Sequence, residues 1–160
     1  MPEIEAGALE IRPASPPDAA AINALLHELG YPSNSEQEVI GRLVSWSERD
    51  DLLVLAAADG QRLVGVAALA VIPYFERPGN WGRVVALVVD ARVRGLGIGR
   101  RLLAACEQAA LARDCVSMEI TSNRRRTGAH AFYRSLGYTD RCDESARFHK
   151  NLIPKAADQG

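Results

Sequence analysis

A chain of 160 residues with 48% hydrophobic side chains is long enough for one domain with a full-sized core. Its 19 basic and 20 acidic side chains leave a formal charge of −1, which excludes a global field for nucleic acid or a membrane surface and confines any anion site to a local cluster. No apolar run approaches the roughly 20 residues that span a bilayer, and the acidic start MPEIEAGALE does not resemble a signal peptide. The three cysteines (Cys106, Cys115, Cys142) have no CxxC spacing and point to a reduced, cytoplasmic setting without a metal.

Leu9–Arg12 can open a sheet. Ser15-Pro16-Pro17-Asp18 then offers an N-cap, a first-turn proline and an acid three residues after the cap, so a helix is expected to about Leu29. Gly30 can end it in the left-handed conformation, and Tyr31-Pro32 blocks its continuation. Ser35 with Glu38 repeats the capping spacing ahead of Val39, Ile40, Leu43, Val44 and Trp46, which predicts a second helix. Leu52–Ala58 and Leu63–Ile72 are β-branched runs separated by Asp59-Gly60-Gln61-Arg62, the composition of a hairpin. Trp81–Val89 reads as a further strand, a helix is expected from Gly97, and Val116–Thr121 returns to strand alternation. Thr127–Leu136 reads as a short helix stopped by Gly137, Ala146–Leu152 as a last strand, and residues 154–160 as a flexible tail. This order describes an α/β sheet of mixed direction covered by helices, with no internal repeat.

The chemistry concentrates where the strand Trp81–Val89 enters Asp-Ala-Arg-Val-Arg-Gly-Leu-Gly-Ile-Gly-Arg-Arg and a helix begins. Glycines let backbone N–H groups approach an anion, the helix start adds unpaired donors and the positive end of its dipole, and Arg94, Arg100 and Arg101 add charge. Two other glycine loops do not fit. A dinucleotide fingerprint needs GxGxxG, but Arg100 stands where the third glycine belongs after Gly95 and Gly97, and no Gly-Lys-Ser/Thr triplet exists for a Walker A loop.

Read from Arg94, the spacing Arg-x-x-Gly-x-Gly resembles the pyrophosphate-binding motif of the GNAT superfamily of N-acetyltransferases. Asn123 and the run Ala129-His-Ala-Phe-Tyr-Arg-Ser-Leu-Gly-Tyr138 resemble that family's second signature. The resemblance implies a GNAT fold over residues 1–153 as a single domain, with a mixed, mostly antiparallel sheet of six or seven strands and about four helices. It implies acetyl-CoA as cosubstrate, with the backbone of Leu87, Val88 and Val89 along the pantetheine arm and the amides of Gly95, Leu96, Gly97, Ile98, Gly99 and Arg100 on the pyrophosphate. Asn123 would also contact the cofactor, and the strands near Val88 and Val116 would splay to admit it. Transfer would proceed by direct attack of a primary amine of a small molecule or protein, with Tyr133 protonating the departing thiolate. A homodimer follows by analogy only.

Glu119 faces opposite to Met118 and Ile120 and could receive the amine's proton or pair with an arginine. Several members of the family carry an acid on the fourth strand, and Trp81–Val89 has none. Cys106 lies on an apolar helix face, where a structural role outweighs an acetyl-cysteine. Arg124-Arg125-Arg126 reads as a solvated loop or as a phosphate contact, and His130 as a helix residue or another such contact. His27, Glu28 and Tyr31 stand where similar proteins shape the acceptor pocket. The rival from another functional class is a non-catalytic acetyl-CoA-binding sensor.

Overall fold

Each described strand after the first pairs with the one before it in sequence, the commonest arrangement of consecutive strands. The computed structural model describes residues 8–122 and 124–153, in two compact units, one ending at Thr121 and the other beginning at Ser122. In the first unit β1 (Leu9–Pro13), β2 (Leu52–Asp59), β3 (Arg62–Pro73) and β4 (Asn80–Val89) form an antiparallel sheet in sequence order, and β5 (Cys115–Ile120) adds to β4 in parallel. A parallel neighbour requires a crossover, which α3 (Ile98–Leu111) supplies.

The first two helices begin where the capping chemistry places them. Ser15 N–H donates to the Asp18 carboxylate at 2.8 Å, and Arg12 holds that carboxylate through two further bonds of 2.8 Å. A 3₁₀ turn over Pro16–Asp18 then leads into α1 (Ala19–Leu29), which stops at Gly30 with φ 110°. At the start of α2 (Glu36–Ser47) the capping box is complete: Glu38 N–H donates to Ser35 Oγ at 3.2 Å and Ser35 N–H to Glu38 Oε2 at 2.8 Å.

Ile22, Leu25, Val39 and Leu43 pack with Ala56, Val66 and Val88 on one face of the sheet. Because successive strand residues face opposite ways, Gly65 faces α3. A Cβ there would stand 2.9 Å from Leu102 Cδ1 and 3.3 Å from Ile98 Cγ2. The missing side chain brings the first turns of α3 close to the sheet beside the end of β4.

The second unit contains α4 (Thr127–Ser135), closed by Gly137 at φ 89° with Tyr138 N–H bonded to Tyr133 O at 3.1 Å. The sheet has five strands among the described residues, not six or seven, because Ala146–Leu152 forms none. Phe148 there is 94% exposed, and a segment without a neighbouring strand gains neither ladder bonds nor a packed face. The tail from residue 154 lies outside the described residues.

Candidate functional site

The site begins with a break in strand pairing. β4 pairs with β5 from Asn80 to Val84, whose partner is Ile120, and no β5 residue pairs with the stretch from Val85 to Val89. On its other edge β4 stays paired to β3, except that Val84 faces Leu69 and Ala86 faces Ala68, which leaves Val85 as a bulge. Asp90 N–H donates to Val64 O at 2.8 Å. The alternation of an antiparallel ladder therefore turns the backbone N–H and C=O of Leu87 and Val89 toward the open edge, while Val88 bonds to β3. Arg94 Nε donates to Val89 O at 3.2 Å, from that open side.

The turn after β4 is set by a buried carboxylate. Asp90, 4% exposed, accepts bonds from Arg92 N–H (2.9 Å), Arg92 Nε (3.1 Å), Arg92 Nη2 (2.7 Å) and Arg62 Nη2 (3.1 Å). Those donors, Arg92 first, outweigh desolvation and hold its carboxyl well below the usual carboxylate range. Sequence reasoning missed this residue. Its signal was an Asp placed to cap the 3₁₀ turn Ala91–Val93, but Arg62 lies 28 positions away.

Gly95 and Gly97 follow with φ 83° and 81°, and a Cβ at either would meet nothing within 4 Å. Glycine is thus required by backbone conformation and the loop is open to its surroundings. Gly97 is the N-cap of α3 and has no side chain to cap with; the first N–H returned into the helix is that of Arg101, to Gly97 O at 3.1 Å. The N–H groups of Ile98, Gly99 and Arg100 accordingly lack helical acceptors and stand at the positive end of the dipole. Leu96 and Arg100 are exposed, whereas Arg101 donates to Leu9 O at 2.9 Å and so fixes α3 to β1. These residues fit a pyrophosphate, and the open edge fits an extended amide-bearing arm.

In the second unit the Tyr133 ring packs against Phe132 and Tyr138, with centroids 5.4 and 6.3 Å away. Burial pushes its phenol up against a smaller opposing effect of Arg126, so the hydroxyl is protonated at neutral pH. Arg124 pairs with Asp140 at 3.1 Å. Asn123 lies outside the described residues.

Glu119 is exposed on β5, opposite Arg83 in the ladder, whose guanidinium donates to Thr121 Oγ1 at 3.1 Å instead. Cys106 is fully buried and its thiol is pushed up to about 12 by desolvation, which makes it a packing residue.

A cavity of about 300 Å³ opens beside the bulge of β4, between α1, α2 and the sheet. Tyr31 lines it, but His27 and Glu28 do not: His27 Nε2 bonds to Asn34 O at 3.2 Å, and Glu28 accepts from Ala91 N–H at 3.3 Å.

Replacing Asp90 by alanine is expected to lower unfolding free energy by about 1.5–3 kcal/mol, the range for bonds to a charged group. Arg92, 71% exposed, regains water when the carboxylate is lost, which keeps the cost below that of a sealed ion pair. Since its folded pKa is depressed, the carboxylate stabilises fully above its unfolded value of about 4 and progressively less below it. Denaturant melts should show a constant gap between wild type and Asp90→Ala from pH 5 to 8 that narrows below about pH 4. A gap that widens on acidification would contradict the assignment.

The sequence model of the acetyltransferase (GNAT) family matches residues 19–138, a stretch that crosses both units. Glucosamine 6-phosphate N-acetyltransferase 1 of Oryza sativa subsp. japonica is 33% identical over 94 residues, which cover 57% of this chain and 55% of that protein. The chain thus spans about half the length of this curated relative. The glucosamine-6-phosphate N-acetyltransferase of Arabidopsis thaliana superposes with a TM-score of 0.76 at 18% identity, over 91% of this chain and 99% of that one. Aminoglycoside N-acetyltransferase AAC(6′)-Iy, solved in complex with CoA, superposes with a TM-score of 0.78 at 16% identity, over 91% of this chain and 95% of that one. No described helix is long and apolar enough to cross a membrane. A glycine loop on an open strand edge, a matched family model over 19–138 and the shared α/β fold lead to one conclusion: the chain belongs to the GNAT acetyltransferase family.

Proposed function

We propose that this chain binds acetyl-CoA along β4 and transfers its acetyl group to a primary amine. The observation that carries the reading is the open edge at Leu87 and Val89, which runs directly into the positive-φ loop Gly95–Gly97 and the uncapped start of α3. Backbone groups on that edge hold the pantetheine amides, and the N–H groups from Gly95 to Arg100 hold the pyrophosphate with Arg94 beside them. Asn123 is proposed as a further cofactor contact on its motif alone.

In the transfer the amine nitrogen adds to the thioester carbonyl carbon, the C–N bond forms and the C–S bond breaks. The sulfur leaves with the electron pair and takes the proton of Tyr133 Oη, and the new amide nitrogen gives its proton to Glu119, directly or through water. That proton returns to the phenolate through solvent, so the net products are the amide and free CoA thiol. The role of Tyr133 is carried over from the resemblance of Phe132-Tyr133 to the family's second signature, inside the matched residues 19–138, and burial raises its phenol further from ionisation. The family match across both units supports reading 1–153 as one functional domain, and three free cysteines support a reducing, cytoplasmic setting. Thiol release from acetyl-CoA, followed over a panel of amines, tests the reading. Amine-dependent release is expected, whereas binding of acetyl-CoA without release on any amine would leave the sensor.

A further inference from the structure

The cavity beside β4 has walls whose chemistry selects an acceptor. Its depth is apolar: Ile22, Val39, Leu43 and Val66 are buried, and Trp46 adds an aromatic face. Its polar groups are few and sit at the rim, where Tyr31 and Arg42 are exposed and Arg42 Nη2 donates to Asn34 Oδ1. Among the described residues no carboxylate lines it, so a second ammonium seated in it would meet Arg42 and no counter-charge from the lining. Sugar hydroxyls would likewise be taken from water with few partners in the depth. One wall is Val85 and Ala86, directly before the open edge at Leu87. An occupant of the cavity therefore places one end at the strand proposed to carry the thioester.

From this we infer that the acceptor is a small monoamine with an apolar body, aliphatic or aromatic, rather than an amino sugar or a polycation. The inference rests on the acetyl-transfer reading for calling the occupant an acceptor. At about 30 Å³ per non-hydrogen atom, as in liquid water, a cavity of about 300 Å³ holds roughly ten such atoms. The same walls address the missing carboxylate on β4. Desolvation against the apolar walls disfavours the ammonium form, so the amine enters closer to its neutral, nucleophilic state.

The test is a series of n-alkylamines from propyl to decyl, with phenylethylamine, glucosamine 6-phosphate, an aminoglycoside, spermidine and a lysine peptide as further arms. We expect kcat/KM to rise about fourfold per methylene until the cavity is full. Ala68→Leu, which fills part of the cavity floor, should shorten the best chain by about three carbons, with a thermal melt checking that the variant folds. Binding is read separately from Trp46 fluorescence in a Trp81→Phe background, where Trp46 is the single tryptophan. A response of Trp46 to octylamine without acetyl transfer to any amine would keep the apolar-amine site and remove the reaction. Transfer to the sugar, polycation or peptide arms with inert alkylamines would keep the reaction and overturn the inference. Neither response nor transfer overturns both.

Discussion

Gly97→Glu is expected to abolish measurable acetyl-CoA binding in a protein that still folds. Gly97 has φ 81°, where a residue with a Cβ costs about 1–2 kcal/mol, yet a Cβ there meets no atom within 4 Å. The fold therefore bears a modest strain and no clash. The added carboxylate stands where a pyrophosphate is proposed. Two unit charges 4 Å apart repel by about 4 kcal/mol at an effective dielectric of about 20, which corresponds to roughly a thousand-fold in affinity. Gly97→Ala separates the contributions, because it keeps the strain and omits the charge. Titration calorimetry on both variants should find a much weaker defect in the alanine form. Normal affinity in folded Gly97→Glu would place the phosphate site elsewhere.

The second large effect is expected at Tyr133→Phe, in turnover more than in binding. The ring keeps its packing against Phe132 and Tyr138 while the hydroxyl is lost. General acid catalysis typically contributes a factor of about 10² to 10⁴, and a thiolate leaves readily even unprotonated, so the loss should fall at the low end. A decrease of about ten-fold to a few hundred-fold corresponds to roughly 1.4 to 3.4 kcal/mol of transition-state stabilisation. Steady-state rates with the best acceptor, set beside the acetyl-CoA dissociation constant, decide it. An unchanged rate makes Tyr133 a packing residue, and a collapse of cofactor affinity gives its hydroxyl a binding role.

Local signals carried much of the fold. Ser35 with Glu38, Gly30 and Gly137 announce helix ends through chemistry contained within a few residues, and the hairpin around Gly60 does the same for β2 and β3. Features set by distant partners were not legible. Val84-Val85-Ala86-Leu87 is an unbroken apolar run, so nothing in its pattern marks Val85 as a bulge or Val84 as the last residue paired to β5. Asp90 reads as an ordinary turn residue until Arg62 arrives from β3. Ala146–Leu152 was readable as a last strand from its composition, but composition does not supply a neighbouring strand. Within the candidate site, the glycine loop was readable since positive φ restricts the residue type. The grouping of Arg94, Arg100 and Arg101 was coarser than the molecule, in which Arg101 is committed to Leu9.

Thermal melting with and without acetyl-CoA tests whether this chain holds the cofactor, since a ligand that binds only the native state raises its apparent stability. At a hundred-fold excess over the dissociation constant the gain is about 2.7 kcal/mol, which for a domain of this size raises Tm by roughly 5–10 °C. A rise of that order is expected with acetyl-CoA and no comparable shift with NADH, whose fingerprint loop the sequence lacks. An unchanged Tm at millimolar acetyl-CoA would contradict it.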